Sequence, residues 1–233
     1  MNLNKVSMIL VLNGLMIAPT MAAELEISIT NLTHGNHFTP ILITAHDNMS
    51  HQFQAGEMAT PALQKMAEGG NIADLMSAAT GNNELVVGNP AEGLLAAGKK
   101  VDSIMLDTQT MTHLSIVAMV LPTNDAFIGL DAWEIPTTPG TYTINVNAYD
   151  AGTEANDEII NGGGMPGSPG IPAAPGMDGG ANGTGVSDTS GNDKVHIHPG
   201  VLGDTDNAGG SSDLDSRIHR WLNPVARVVV EVK

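Results

Sequence analysis

The chain contains no cysteine. That excludes disulfide frameworks, thiolate nucleophiles, Cys-ligated zinc and iron–sulfur chemistry. Aromatic residues make up only 3% of the 233 residues, so the interior must be built from Val, Ile, Leu, Met and Ala. Basic residues are also scarce: 9 Lys+Arg stand against 25 Asp+Glu, a net charge of −16. A surface so negative repels phosphate backbones, which excludes nucleic acid as a partner, and it attracts cations. After the N-terminal segment no apolar run approaches the length of a membrane-spanning helix. Phosphate-cradling loops, dinucleotide fingerprints and G-x-S-x-G elbows are missing too. What remains is 42% hydrophobic residues, enough for the core of one domain.

Lys5 is the only charge before Glu24, and a largely apolar run from Val6 to Ile17 follows it. Pro19 and the small-x-small pattern of Thr20-Met21-Ala22 then predict an export signal over residues 1–22, cleaved after Ala22. Without Lys5, eight basic residues face 25 acidic ones, so the mature chain 23–233 carries −17. An exported chain without cysteine is expected to be periplasmic or extracellular, stabilised by its core or by metal. No transmembrane helix is expected after cleavage.

Glu24 to Asn31 alternates, with Leu25, Ile27 and Ile29 on one face, which predicts a half-buried strand. Thr39–Thr44, Leu85–Val87 and Ser103–Leu106 are further strand candidates, and Leu114–Leu121 is apolar enough to be covered on both faces. Thr141–Tyr149 and Ala226–Lys233 alternate again. Between the early strands, Thr60-Pro61 signals a helix start and Gly69-Gly70 its end, and Asn71 can cap a second short helix running to Gly81. Many strands and two short helices predict an all-β fold, an antiparallel β-sandwich with a long Gly/Pro-rich loop insertion.

That insertion spans residues 162–191, thirty residues with eleven Gly and four Pro. Gly164, Gly167, Gly170, Gly176 and Gly179 share a three-residue period with Pro166, Pro169, Pro172 and Pro175, while Ala173 stands where another Gly is expected. The register resembles collagen, but the triplets are too few to hold three chains. The expectation is a flexible loop, partly polyproline II.

Asn147-Ala148-Tyr149-Asp150-Ala151-Gly152-Thr153-Glu154 places two carboxylates four residues apart across a Gly-containing turn after a strand. Hard cations such as Ca²⁺ take six to eight oxygens from carboxylates, carbonyls and water. A second acidic segment, Asn124 to Asp131, read as a loop, can face the first across one end of the sandwich. The same residues equally suit a solvated turn.

The segment Leu121-Pro122-Thr123-Asn124-Asp125-Ala126-Phe127-Ile128-Gly129-Leu130-Asp131, followed by Tyr149-Asp150-Ala151-Gly152-Thr153-Glu154, resembles the spondin N-terminal domain. That family reads P-S-P-D-W-F-V-G-V and then Y-D-A-G-T-D. Asn223-Pro224-Val225-Ala226-Arg227-Val228 is similar to the family's last strand, so the likeness runs from about Leu25 to Val232. It implies a β-sandwich with a calcium ion at one end, held by Asp125, Asp150 and Glu154, and an adhesion or matrix-type role. Glu154 replaces the family's Asp, and Ala126 its Trp. The cysteines and thrombospondin-type repeats of the animal proteins are absent, so their receptor binding does not carry over. The expected partners are a calcium ion and a protein or surface glycan yet to be identified.

Histidines make a competing constellation. His34 and His37 follow the first strand, His46 and His51 lie downstream, and His196 and His198 in H-I-H-P would share one strand face. Imidazoles so placed suit Cu²⁺ or Zn²⁺, and a periplasmic metal-handling protein is the main alternative. Asp204-Thr205-Asp206-Asn207-Ala208-Gly209, ending at Asp215, reads as a degenerate calcium loop or as a solvated acidic loop. A carboxylate hydrolase built on Asp125 and Asp150 is the most distant alternative. Trp133 and Trp221 offer it few aromatic platforms, and the chain reads as a non-enzyme.

Overall fold

The computed structural model describes residues 22–177, 179–186 and 193–233. The expected export signal lies outside the described residues except for Ala22. Among the described residues ten strands and two helices follow in order: β1 (Glu24–Asn31), β2 (His37–Phe38), β3 (Leu42–His46), α1 (Pro61–Gly69), α2 (Ala73–Gly81), β4 (Leu85–Gly88), β5 (Lys100–Asp107), β6 (His113–Leu121), β7 (Ala126–Glu134), β8 (Gly140–Asp150), β9 (His196–Ile197) and β10 (Ala226–Val232). All pairings are antiparallel, and the strands join in the order β4-β3-β6-β7-β8-β10-β1-β5, with β2 on β6 and β9 on β8. The all-β reading holds, as one continuous, nearly barrel-like sheet.

β8 makes it continuous. Gly140–Val146 pairs with β10, and Asn147–Asp150 pairs with β7, so one strand serves both arms of the sheet. The arms enclose a single apolar core containing Ile27 and Ile29 of β1, Ile116 and Ala118 of β6, and Val228 and Val230 of β10. Each fully buried Ile or Val side chain there contributes about 1.5–3 kcal/mol. β1 and β10 bury every second residue, as their alternation requires, while β6 is buried from Leu114 to Leu121. Thr60 caps α1 by accepting the Leu63 N–H at 3.1 Å, and Gly70, at φ 71°, ends it. The Asn71 side chain accepts the Ala73 N–H at 2.9 Å at the start of α2. α1 packs on β6 and β7, and α2 on β4.

Two segments differ from expectation. The acidic stretch read as a loop from Asn124 to Asp131 is loop only through Asp125; from Ala126 it is β7. Phe127 of β7 packs with Phe53 and Tyr149, at ring-centroid separations of 5.0 and 5.8 Å, and this fastens the β7 and β8 ends together. The Gly/Pro-rich segment is a loop, but its periodic glycines carry positive φ: 91° at Gly164, 84° at Gly167 and 119° at Gly170. Polyproline II needs φ near −75°. The glycines make left-handed turns that fold the segment back on the body. There Ile171 is fully buried and its N–H donates to the Ile159 carbonyl at 2.9 Å. Asp213 fastens the far part by accepting the Ala181 and Gly183 N–H groups at 2.7 and 2.8 Å.

Candidate metal centre

The β6–β7 turn and the end of β8 lie side by side because Ala126 pairs with Asp150. That register puts Asp125, just before β7, next to the loop that follows β8. Asp125 is fully buried. Its Oδ2 accepts the Thr153 N–H at 2.8 Å, the Thr153 hydroxyl at 3.2 Å and the Glu154 N–H at 3.2 Å. Its Oδ1 is buried without a partner.

Asp150 closes the adjacent turn on itself, Oδ1 accepting the Gly152 N–H at 2.7 Å, and Oδ2 accepts the Asn156 side-chain amide at 2.7 Å. Gly152 has φ 70°, a left-handed position that a side chain would strain. Glu154 Oε2 accepts the Gly170 N–H at 2.8 Å and the Asn124 amide at 3.4 Å, while Oε1 is buried and unpartnered. The three carboxylates that the motif singles out are therefore gathered at one end of the sheet, and one oxygen each of Asp125 and Glu154 has no donor.

The electrostatics follow. Burial, reinforced by the charge of Asp150, pushes the Asp125 carboxyl up to about 7, against the pull of the Thr153 and Glu154 donors. Burial pushes Glu154 up to about 7 as well; the Gly170 N–H opposes this, and Glu68 and Asp125 add to it. The groups that reach Asp125 and Glu154 are uncharged donors, so nothing compensates the negative charge that they take on as their protons leave. An all-oxygen set of carboxylates suits a hard cation such as Ca²⁺ and not a soft one. Among the described residues no three His, Asp or Glu side chains are disposed to hold a metal as they stand. Closing on an ion requires rotamer changes, which the three torsions of a glutamate allow. The local motif gives no sign of Glu68, which comes from α1.

The histidines divide. His46 is buried with both ring nitrogens engaged, Nδ1 at 2.7 Å from the Asp47 carbonyl and Nε2 at 2.7 Å from Ser115 Oγ; His51 pairs with Asp131. His34 and His37 lie at the β1–β2 connection. Burial lowers the pKa of His219, against the pull of Asp215, whose N–H donates to its Nδ1 at 3.0 Å. His196 and His198 face Asp150, their Nε2 atoms 3.8 and 3.9 Å from Oδ2. The two constellations that look separate in sequence thus meet at Asp150.

Their tautomers are not equivalent. His196 Nδ1 donates to the Lys194 carbonyl at 2.8 Å, which leaves Nε2 bare in the neutral ring. His198 Nδ1 accepts the Gly200 N–H at 2.9 Å, so its Nε2 carries the proton and turns an N–H toward Asp150. Beside them opens a cleft of about 550 Å³, lined by Asp150, Glu154, Asn156, His196 and Arg220.

The degenerate loop is satisfied internally. Asp204 accepts backbone N–H groups of Asp206, Ser211 and Ser212, and Asp215 pairs with Arg217.

Among the described residues no helix is long and apolar enough to cross a membrane. No curated protein matches the chain. The Spondin_N family model matches residues 30–158, which takes in the end of β1, all of β2 through β8 and the whole Asp125–Asp150–Glu154 cluster. With more than half of its length matched, the chain belongs to the spondin N-terminal domain family.

Proposed function

We propose that this protein is an exported, calcium-binding β-sandwich module with an adhesion-type role, not an enzyme. The observation that carries the calcium reading is the pair of buried, donorless oxygens, Asp125 Oδ1 and Glu154 Oε1, in one cluster with Asp150. Buried carboxylate charge without compensation is costly, and a divalent cation supplies that compensation in the oxygen-rich form that Ca²⁺ prefers. Export is supported by the N-terminal charge and hydropathy pattern and by the extracellular character of spondin domains. The same pattern supports a periplasmic or extracellular location. The 550 Å³ cleft beside the cluster offers carboxylate, amide, imidazole and guanidinium groups to a polar partner such as a protein loop or surface glycan.

Calorimetric titration and elemental analysis of the mature chain test the proposal. About one equivalent of calcium is expected. Calcium at a hundredfold excess over Kd should stabilise the fold by about 2.7 kcal/mol. A verified metal-free sample whose melting curve does not move on calcium addition would sink the reading.

A further inference from the structure

Helix α1 brings a fourth acid to the same place. Glu68 is only 1% exposed. Its Oε1 accepts the Gln64 amide at 2.7 Å, one turn back along the helix, whereas Oε2 is buried with no partner. It sits in the last turn of α1, where the helix dipole is negative and no basic residue compensates it.

The neighbours of Glu68 are the metal-centre residues. Among the charged groups acting on Glu154, Glu68 is the strongest, ahead of Asp125. The Gly/Pro segment ties the two glutamates together. Gly164 packs so tightly on the Glu68 carbonyl that a Cβ there would come within 2.6 Å of it. Six residues on, the Gly170 N–H binds Glu154. Three donorless, buried carboxylate oxygens thus come from three separate parts of the chain: Glu68 Oε2, Asp125 Oδ1 and Glu154 Oε1.

We propose that Glu68 is a further ligand of the metal centre, its Oε2 joining Asp125 and Glu154, so that the ion links helix α1 to the strand ends. The proposal rests on the calcium reading and extends it to a residue outside the sequence motif. A metal there gives Glu68 Oε2 the partner that it otherwise lacks. It also accounts for a buried acid with one donorless oxygen in the last turn of α1.

Glu68→Gln keeps the shape and removes the charge. It should weaken calcium binding at least about tenfold. With Tb³⁺ substituting for calcium, luminescence decay in H₂O and D₂O should report about one additional coordinated water. The metal-free variant should melt no lower than the metal-free wild type, because the Gln side-chain oxygen can still accept the Gln64 amide, while the calcium-induced rise in Tm shrinks. A structural role alone would instead lower Tm equally with and without calcium. Should Glu68→Gln not fold, Glu68→Asp withdraws the carboxylate by one methylene and should show the same loss of affinity and gain of water. Calcium binding that Asp125→Asn abolishes but the Glu68 variant leaves unchanged overturns this proposal alone. A wild-type protein that binds no calcium overturns the reading beneath it as well.

Discussion

The two acidic loops of this protein carry similar residues and hold their charge in opposite ways. At the β7–β8 end, Asp125 and Glu154 are drawn into the protein and left with oxygens that nothing reaches. In the 204–215 loop, Asp204 turns both oxygens onto the N–H groups of Asp206, Ser211 and Ser212, and Asp215 closes on Arg217. The second loop has the spacing of a calcium loop, but its own backbone already does what an ion would do. Donor accounting, more than acidity or spacing, separates a carboxylate that needs a cation from one that does not.

The largest effect expected from this contrast is on calcium binding itself. Asp125→Asn removes one charge from the donorless cluster and should abolish calcium binding by calorimetry. The same change at Asp204 should leave calcium binding intact and lower Tm by a similar amount with and without the ion. Loss of binding in the Asp204 variant would place the ion in the wrong loop and break the comparison.

The pH response sharpens it. Asp125 and Glu154 titrate near 7 in the folded protein, well above the unfolded carboxylate range near 4. Because their folded values are raised, their contribution to metal-free stability is full below about pH 4 and is lost as pH rises through about 7. The metal-free protein should therefore melt progressively lower between pH 5 and 8, and calcium should bind more tightly over the same interval as the protons leave. Asp204 and Asp215 behave oppositely. The Ser212 N–H holds Asp204 down, and the Arg217 guanidinium holds Asp215 down to about 2, so their contribution is present at neutral pH and lost only on acidification through the folded values. A metal-free Tm that is flat from pH 5 to 8, with calcium affinity equally flat, would show that the buried acids are not protonated as described.

Much of the fold is legible because it rests on side-chain periodicity. The alternations of β1, β8 and β10 and the apolar run of β6 each translate directly into burial. β7 is hidden by its composition: Gly129 and Asp131 interrupt it, and its first four residues are all buried, so no period of two appears. Gly129 is required there, since a Cβ would come within 2.5 Å of the Phe53 ring. The anchoring of the Gly/Pro segment is illegible for another reason. It depends on backbone N–H groups of Gly170, Ala181 and Gly183 meeting Glu154 and Asp213, and a backbone donor leaves no mark in sequence. The same glycines supply turns as readily as freedom. Asp125, Asp150 and Glu154 are legible from their motif, but Glu68 is not, because only the packing of α1 on β6 and β7 brings it near them.

The smallest expected effect concerns the histidines, and it decides between calcium and a transition metal. Because His196 and His198 both face Asp150, Asp150→Asn perturbs either kind of site, so the imidazoles must be changed instead. His196 is the one with a bare Nε2, whereas His198 presents an N–H unless it gives up the Gly200 bond. A two-histidine site therefore costs a hydrogen bond worth about 0.5–1.5 kcal/mol before any ion arrives. The His196 ring is 3.8 Å from Asp150 Oδ2 with its side chain 36% exposed, a separation too long for a hydrogen bond and open to solvent screening. His196→Gln should shift calcium affinity less than about threefold, because the ring makes no hydrogen bond to Asp150. Zn²⁺ and Cu²⁺ should bind the wild type weakly. Stoichiometric, tight zinc or copper binding that His196→Gln removes would instead put the metal on the imidazole side of Asp150 and give the metal-handling reading first place.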